Sequence, residues 1–146
     1  MPRYSTHYLD QLLAQRDYAA LVDLQAIATG WDGFDPGAPS FGCPRPVFAV
    51  FEMLTWLAQA VRSGVWTYYE ATPPDRAECM LDALDALDAL DAAPLRQKYA
   101  QGWAHWRDAE PCAELDDWIG DHEPALVAWA FDVLEAHRAE LALVGT

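Results

Sequence analysis

Residues 47–61, Val-Phe-Ala-Val-Phe-Glu-Met-Leu-Thr-Trp-Leu-Ala-Gln-Ala-Val, decide the fold class. Val47, Val50, Phe51, Leu54, Leu57, Ala58 and Val61 recur at three- and four-residue steps, the period of a helix that turns one apolar stripe to a core. Pro46 suits its first turn, where a missing N–H loses no intrahelical bond, and Ser63-Gly64 closes the far end. Before it, Gly30 to Pro46 holds four glycines and four prolines and reads as a loop. Trp31, Phe34 and Phe41 make that loop too apolar for a domain boundary, so it should be pinned on the core. Trp31 and Phe34, beside Asp32 and Asp35, are the aromatics expected to reach the surface, where they could frame a small pocket.

Working outward, the same helical period recurs. Ser5 or Thr6 can cap a first helix carrying Leu9, Leu12 and Leu13, and Asp17 restarts it with Leu21, Leu24 and Ala28 until Gly30. Val65-Trp66-Thr67-Tyr68-Tyr69 is short enough to be a strand or a helical turn. Pro73-Pro74 opens a third helix, with Asp75 and Glu78 well placed against its N-terminal dipole. Past Pro94, Leu95, Tyr99, Trp103 and Trp106 share a face of a fourth helix. A short acidic element follows Glu110-Pro111. A last helix is expected from Pro124, capped by Asp121, with Leu126, Ala130, Val133, His137 and Leu141 on one side. The expectation is an all-α fold, one domain over 1–146, with five or six helices.

With 146 residues, 53% hydrophobic and seven tryptophans, the chain can build a core and is not intrinsically disordered. Against nine Lys and Arg stand 23 Asp and Glu, a net charge of −14. That field repels nucleic acid and anionic membranes and attracts basic surfaces. Cys43, Cys79 and Cys112 are odd in number and widely spaced, which points to a reducing, cytoplasmic setting rather than a disulfide framework or a zinc knuckle. The first residues carry no apolar run of signal-peptide length, and the longest apolar stretch, Ala125 to Phe131, is far short of the ~20 residues of a membrane span.

The charge is unevenly placed. From Asp75 to Glu123 there are 13 acids and four bases. Within that third lies Leu81 to Asp91, LDALDALDALD, which sets Asp82, Asp85, Asp88 and Asp91 at three-residue steps. Against 3.6 residues per turn this pattern slips about 60° per step, so its four leucines cannot all face one core. With Leu84 at the centre of the buried face, Asp88 and Asp91 fall on that face and Leu90 points aside. The ladder is then either a helix leaving the core after Leu87 or a ridge offered to a partner. A second block, Asp108, Glu110, Glu114, Asp116, Asp117, Asp121 and Glu123, contains no Lys or Arg between its ends. Such carboxylates could pair with the Arg and Lys by which a protein holds phosphate.

Residues 52–140 resemble a bacterial family of largely uncharacterised all-α proteins that includes an acidic, dimeric DNA mimic. The features, in order, are an apolar helix bearing Glu52, Arg62-Ser63-Gly64 leading to Tyr68-Tyr69, an Ala/Leu helix from Met80 to Leu90, and an aromatic helix ending at Trp106. Glu114-Leu115-Asp116-Asp117 and a closing Leu134-Glu135-Ala136-His137 complete them. Where the family commonly has Asn-Gly-Gly, this chain has Arg62-Ser63-Gly64. The resemblance implies an all-α fold, leaves room for a homodimer, and for one member implies sequestration of a transcription factor by a negative surface.

Reaction chemistry is hard to find. His7, His105, His122 and His137 have no ligand spacing, no glycine-rich phosphate loop or nucleophile elbow occurs, and Cys112 among acids makes a poor nucleophile. His137 falls on the apolar side of the last helix, where a core histidine is the simpler reading. No metal or cofactor motif is legible. The expectation is a non-enzymatic binder that occludes a basic partner protein, a DNA-binding regulator or a basic toxin, using Asp82, Asp85, Asp88, Asp91, Asp108, Glu110, Glu114, Asp116, Asp117 and Asp121. The competing expectation is a small-ligand or divalent-metal-dependent enzyme built from clustered carboxylates and loop aromatics.

Overall fold

The computed structural model describes residues 5–144, with the Asp88 side chain outside that description. The stretch 47–61 belongs to α3 (Arg45–Ser63). Every residue from Val47 to Leu54 is buried, so the first half of α3 is enclosed on all sides rather than along one stripe, whereas Val61, expected on the apolar stripe, is 65% exposed at the far end. A helix of that kind must be surrounded. Around it pack α2 (Tyr18–Thr29), α4 (Val65–Ala71), α5 (Pro74–Ala86), α7 (Ala109–Ala136) and α8 (Arg138–Val144). The first helix, α1 (Thr6–Gln15), lies against α2 and α7, while α6 (Ala93–His105) packs on α4, α5 and α7.

The all-α class holds, and the count differs. Among the described residues there are eight α-helices and a 3-10 turn at Asp88–Leu90, not five or six helices. Local chemistry explains the extra breaks. Arg16 sits in the left-handed region at φ 53°, and the Asp17 carboxylate caps α2 by accepting from Ala20 N at 2.9 Å. Ser5 does the same for α1 through Tyr8 N at 3.1 Å. Residues 65–69 are helical, not a strand, because the Gly64 carbonyl collects both the Thr67 amide at 3.1 Å and its hydroxyl at 2.6 Å. Gly64 itself has φ 96° and ψ 142°, a conformation that only glycine adopts without strain.

At the other end, two expected elements merge. The acidic segment and the last helix form the single 28-residue α7, which runs straight through Pro124. Asp121 therefore caps nothing. Proline in a helix interior removes the bond to the carbonyl four residues back, here that of Gly120, and typically costs about 3 kcal/mol. Buried Cys112, Leu115 and Ile119 before it, and Leu126, Val127, Ala130 and Phe131 after it, hold both halves on the core. α7 ends at Ala136 instead, and His137 forms the break before α8 rather than a core position. It is half-buried, with Nδ1 3.3 Å from Glu140 Oε2.

Gly120 is exposed, and a Cβ there would meet nothing within 4 Å. Gly120→Ala should therefore stabilise the protein by about 0.5–1 kcal/mol, read as a higher urea midpoint, since alanine orders more readily in a helix. A loss of stability would mean that Pro124 uses the glycine's freedom.

The 30–44 loop is pinned as its aromatics suggest. Arg76 on α5 donates to the carbonyls of Pro36 (3.2 Å), Ala38 (3.2 Å) and Pro39 (3.1 Å), and its guanidinium lies 4.0 Å from the Phe41 ring centroid. Phe41 stacks on Phe34 at 5.1 Å. Among the described residues, no helix is long and apolar enough to cross a membrane.

Candidate functional site

The aspartate ladder is not one helix. α5 stops at Ala86, and Asp88–Leu90 continues as a 3-10 turn. A 3-10 helix has three residues per turn, so it matches the three-residue repeat that an α-helix cannot follow. Leu87 is buried, Leu90 packs partly buried on the core, and Ala92 is fully buried. The leucines past Leu84 thus keep their core contact through a change of helix type. Asp82 and Asp85 are exposed on α5, and Asp85 is paired with Arg96 Nε at 2.5 Å. Asp91, expected on the buried face, is exposed and left-handed at φ 58°, because the α-helix has already ended.

In α7 the acids sort by face. Glu110, Glu114, Asp117 and Asp121 follow steps of four, three and four, so they form one exposed stripe along the helix. No Lys or Arg occurs anywhere in α7. Asp108 is exposed at the N-cap position, 3.9 Å from His105 Nδ1. Asp116 turns the other way. It is half-buried and accepts from Val65 N at 2.8 Å, which caps the start of α4 from a different helix. Burial raises its carboxyl above the ordinary range, the Val65 N–H pulls it back, and neighbouring Asp117 adds to the rise. Asp116 therefore serves the fold.

A second group lies inside. Glu52 on α3 is 4% exposed and accepts a short hydrogen bond from the Tyr68 hydroxyl of α4. The Tyr68 and Tyr99 hydroxyls are 2.8 Å apart. Beside them, Trp56 Nε1 donates to the Tyr69 hydroxyl at 2.9 Å, and that hydroxyl donates to the Tyr99 carbonyl at 2.9 Å. Gly102 on α6 lets Tyr69 in, since a Cβ there would sit 2.2 Å from its hydroxyl oxygen. Burial raises the Glu52 carboxyl, while the Tyr68 hydrogen bond and the charge of Arg76 draw it down. Burial likewise raises the Tyr68 and Tyr99 hydroxyls, so both stay protonated donors in the ordinary pH range.

Sequence reasoning passed over this group. The signal was available: Glu52 is the one charged residue between Pro46 and Val61, flanked at i−4 and i+4 by Phe48 and Trp56. Among the described residues no three His, Cys, Asp or Glu side chains converge as a metal site. The three thiols are all raised by burial, which leaves them weak nucleophiles. No family model, no curated protein and no solved structure matches the chain.

Proposed function

We propose that the protein is a non-enzymatic binder that occludes the basic surface of a partner protein, in the manner of a DNA mimic or an immunity-type inhibitor. The observation that carries this reading is the α7 stripe. Its four carboxylates run from Glu110 to Asp121, 11 steps or about 16 Å at 1.5 Å per residue, which is one charge per ~5.5 Å. One DNA strand presents a phosphate per ~3.4 Å of axis, so the stripe offers a basic groove a charge density of the same order. Asp82 on α5, Asp91 and Asp108 are further exposed carboxylates outside the stripe, and the resemblance of residues 52–140 points to the same kind of partner.

Such a stripe works against its own helix. Glu110–Glu114, Glu114–Asp117 and Asp117–Asp121 are like-charge neighbours, each costing about 0.2–0.5 kcal/mol at low salt. The triple variant Glu114→Gln, Asp117→Asn, Asp121→Asn removes all three repulsions. It should be more stable by about 0.6–1.5 kcal/mol in low salt, a gain that shrinks as salt screens the charges. The same variant should lose the partner. Immobilised wild type is expected to retain one dominant basic protein from host lysate and release it in a salt step, while the variant retains none. Equal retention by both would overturn the proposal.

A further inference from the structure

A separate feature lies under the pinned loop. A cavity of about 120 Å3 is walled by Phe34, Phe41, Phe48 and Phe51, with Thr29 at its edge and Glu52 among its lining residues. Glu52 Oε2 takes the Tyr68 hydroxyl, and no donor among the described residues reaches Oε1. Arg76 is the cation whose charge Glu52 feels, but its guanidinium is committed to three loop carbonyls and the Phe41 ring. A carboxylate has room for about four donors and is almost never buried without a paired charge. This one has a single hydroxyl, no ion pair, and an empty space lined with aromatic rings beside it.

We propose that this cavity binds a small alkylammonium ion of four or five non-hydrogen atoms, with the Glu52 carboxylate taking its N–H and the phenylalanine rings surrounding its carbon chain. The chemistry follows from the lining. The phenylalanines favour an apolar or cationic occupant, since ring faces attract cations, and the unpartnered oxygen selects for a positive donor. Size narrows it further. A dry cavity of about 150 Å3 accepts benzene, with six carbons, so 120 Å3 takes a slightly smaller guest. A phenyl ring bearing an aminomethyl group is too large. Four or five atoms take up the whole volume, so the occupant is a free amine complete in itself, and the site is independent of the α7 stripe.

The test is a titration with propylammonium chloride, followed by 1H–15N shifts of α2 and α3 amides, with sodium chloride at matched ionic strength as the reference. The proposal expects saturable shifts confined to the cavity. 1-Propanol, of equal size and no charge, should bind at least tenfold more weakly, and benzylammonium should not bind. Glu52→Gln keeps the shape and should weaken propylammonium at least tenfold. Thr29→Met leaves Glu52 in place while filling the cavity, and should abolish binding in a protein whose thermal unfolding is unchanged. No saturation by propylammonium, equal binding of 1-propanol, or unaltered affinity in both variants would each overturn the proposal. So would binding by a lysine-containing peptide in place of the free amine.

Discussion

Gly102→Ala should destabilise the protein by about 2–4 kcal/mol, although alanine is the better helix former. The added methyl would lie 2.2 Å from the Tyr69 hydroxyl oxygen and 2.5 Å from the ring carbon that bears it. Tyr69 cannot retreat, being fully buried between Trp56 and Tyr99. Forcing extra volume into a packed site costs about 1–3 kcal/mol, and displacing the ring also breaks two buried hydrogen bonds worth about 1 kcal/mol each, against about 1 kcal/mol gained from alanine's helix propensity. Urea unfolding should show a lower midpoint at an unchanged slope. Tyr69→Phe added to Gly102→Ala removes the nearest clashing atom, so the double variant should lose less than the sum of the two single losses. Strict additivity would show that the two residues do not press on each other. Gly120→Ala, the same substitution in another helix, is expected to move stability the opposite way.

That contrast marks where the sequence was readable. A 3.6-residue period survives in any context, so α3, the leucines of α1 and α2, and the start of α5 were legible from spacing alone. The loop's attachment was legible from its aromatics. The two glycines look alike in sequence, and only the neighbour packed across from each, Tyr69 or open solvent, gives them opposite roles. The merger of the acidic segment with the last helix was hidden because proline normally ends a helix, whereas here the apolar residues on both sides of Pro124 outweigh it. The ladder was hidden for a related reason. A three-residue repeat conflicts with the period of an α-helix, and the chain resolves the conflict by changing to a 3-10 turn. The acidic stripe of α7 needed the unbroken helix before its four-three-four spacing meant anything. Glu52 was the harder omission: its neighbours in sequence announce burial, but its missing partner appears only once α4, α5 and the loop are folded around it.

Glu52→Gln should make the ligand-free protein more stable at neutral pH, by about 1–3 kcal/mol, the cost of a buried polar group short of hydrogen bonds. The pH dependence fixes the cause. Burial raises the folded carboxyl above its ordinary 4.5, so the folded protein holds that proton more tightly than the unfolded chain does. Wild type thus has its full stability below about 4.5 and loses part of it as pH rises through the folded value. Glutamine resembles the protonated acid, so the two proteins should unfold alike at acid pH and diverge above it, the variant being the more stable. Of the groups around Glu52, Tyr68, Tyr99 and the Cys79 thiol remain protonated across that range, and the charge of Arg76 acts on the same carboxylate. Asp116 is also raised by burial, but it is common to both proteins and cancels in the difference. A stability gap independent of pH, or a variant less stable at every pH, would mean that the fold itself prefers the ionised side chain. A gap that opens with pH and closes when propylammonium is added would have a different meaning, because a ligand stabilises only the state that binds it. The carboxylate would then weaken the empty protein in order to hold its guest, which is how a binding residue differs from a structural one.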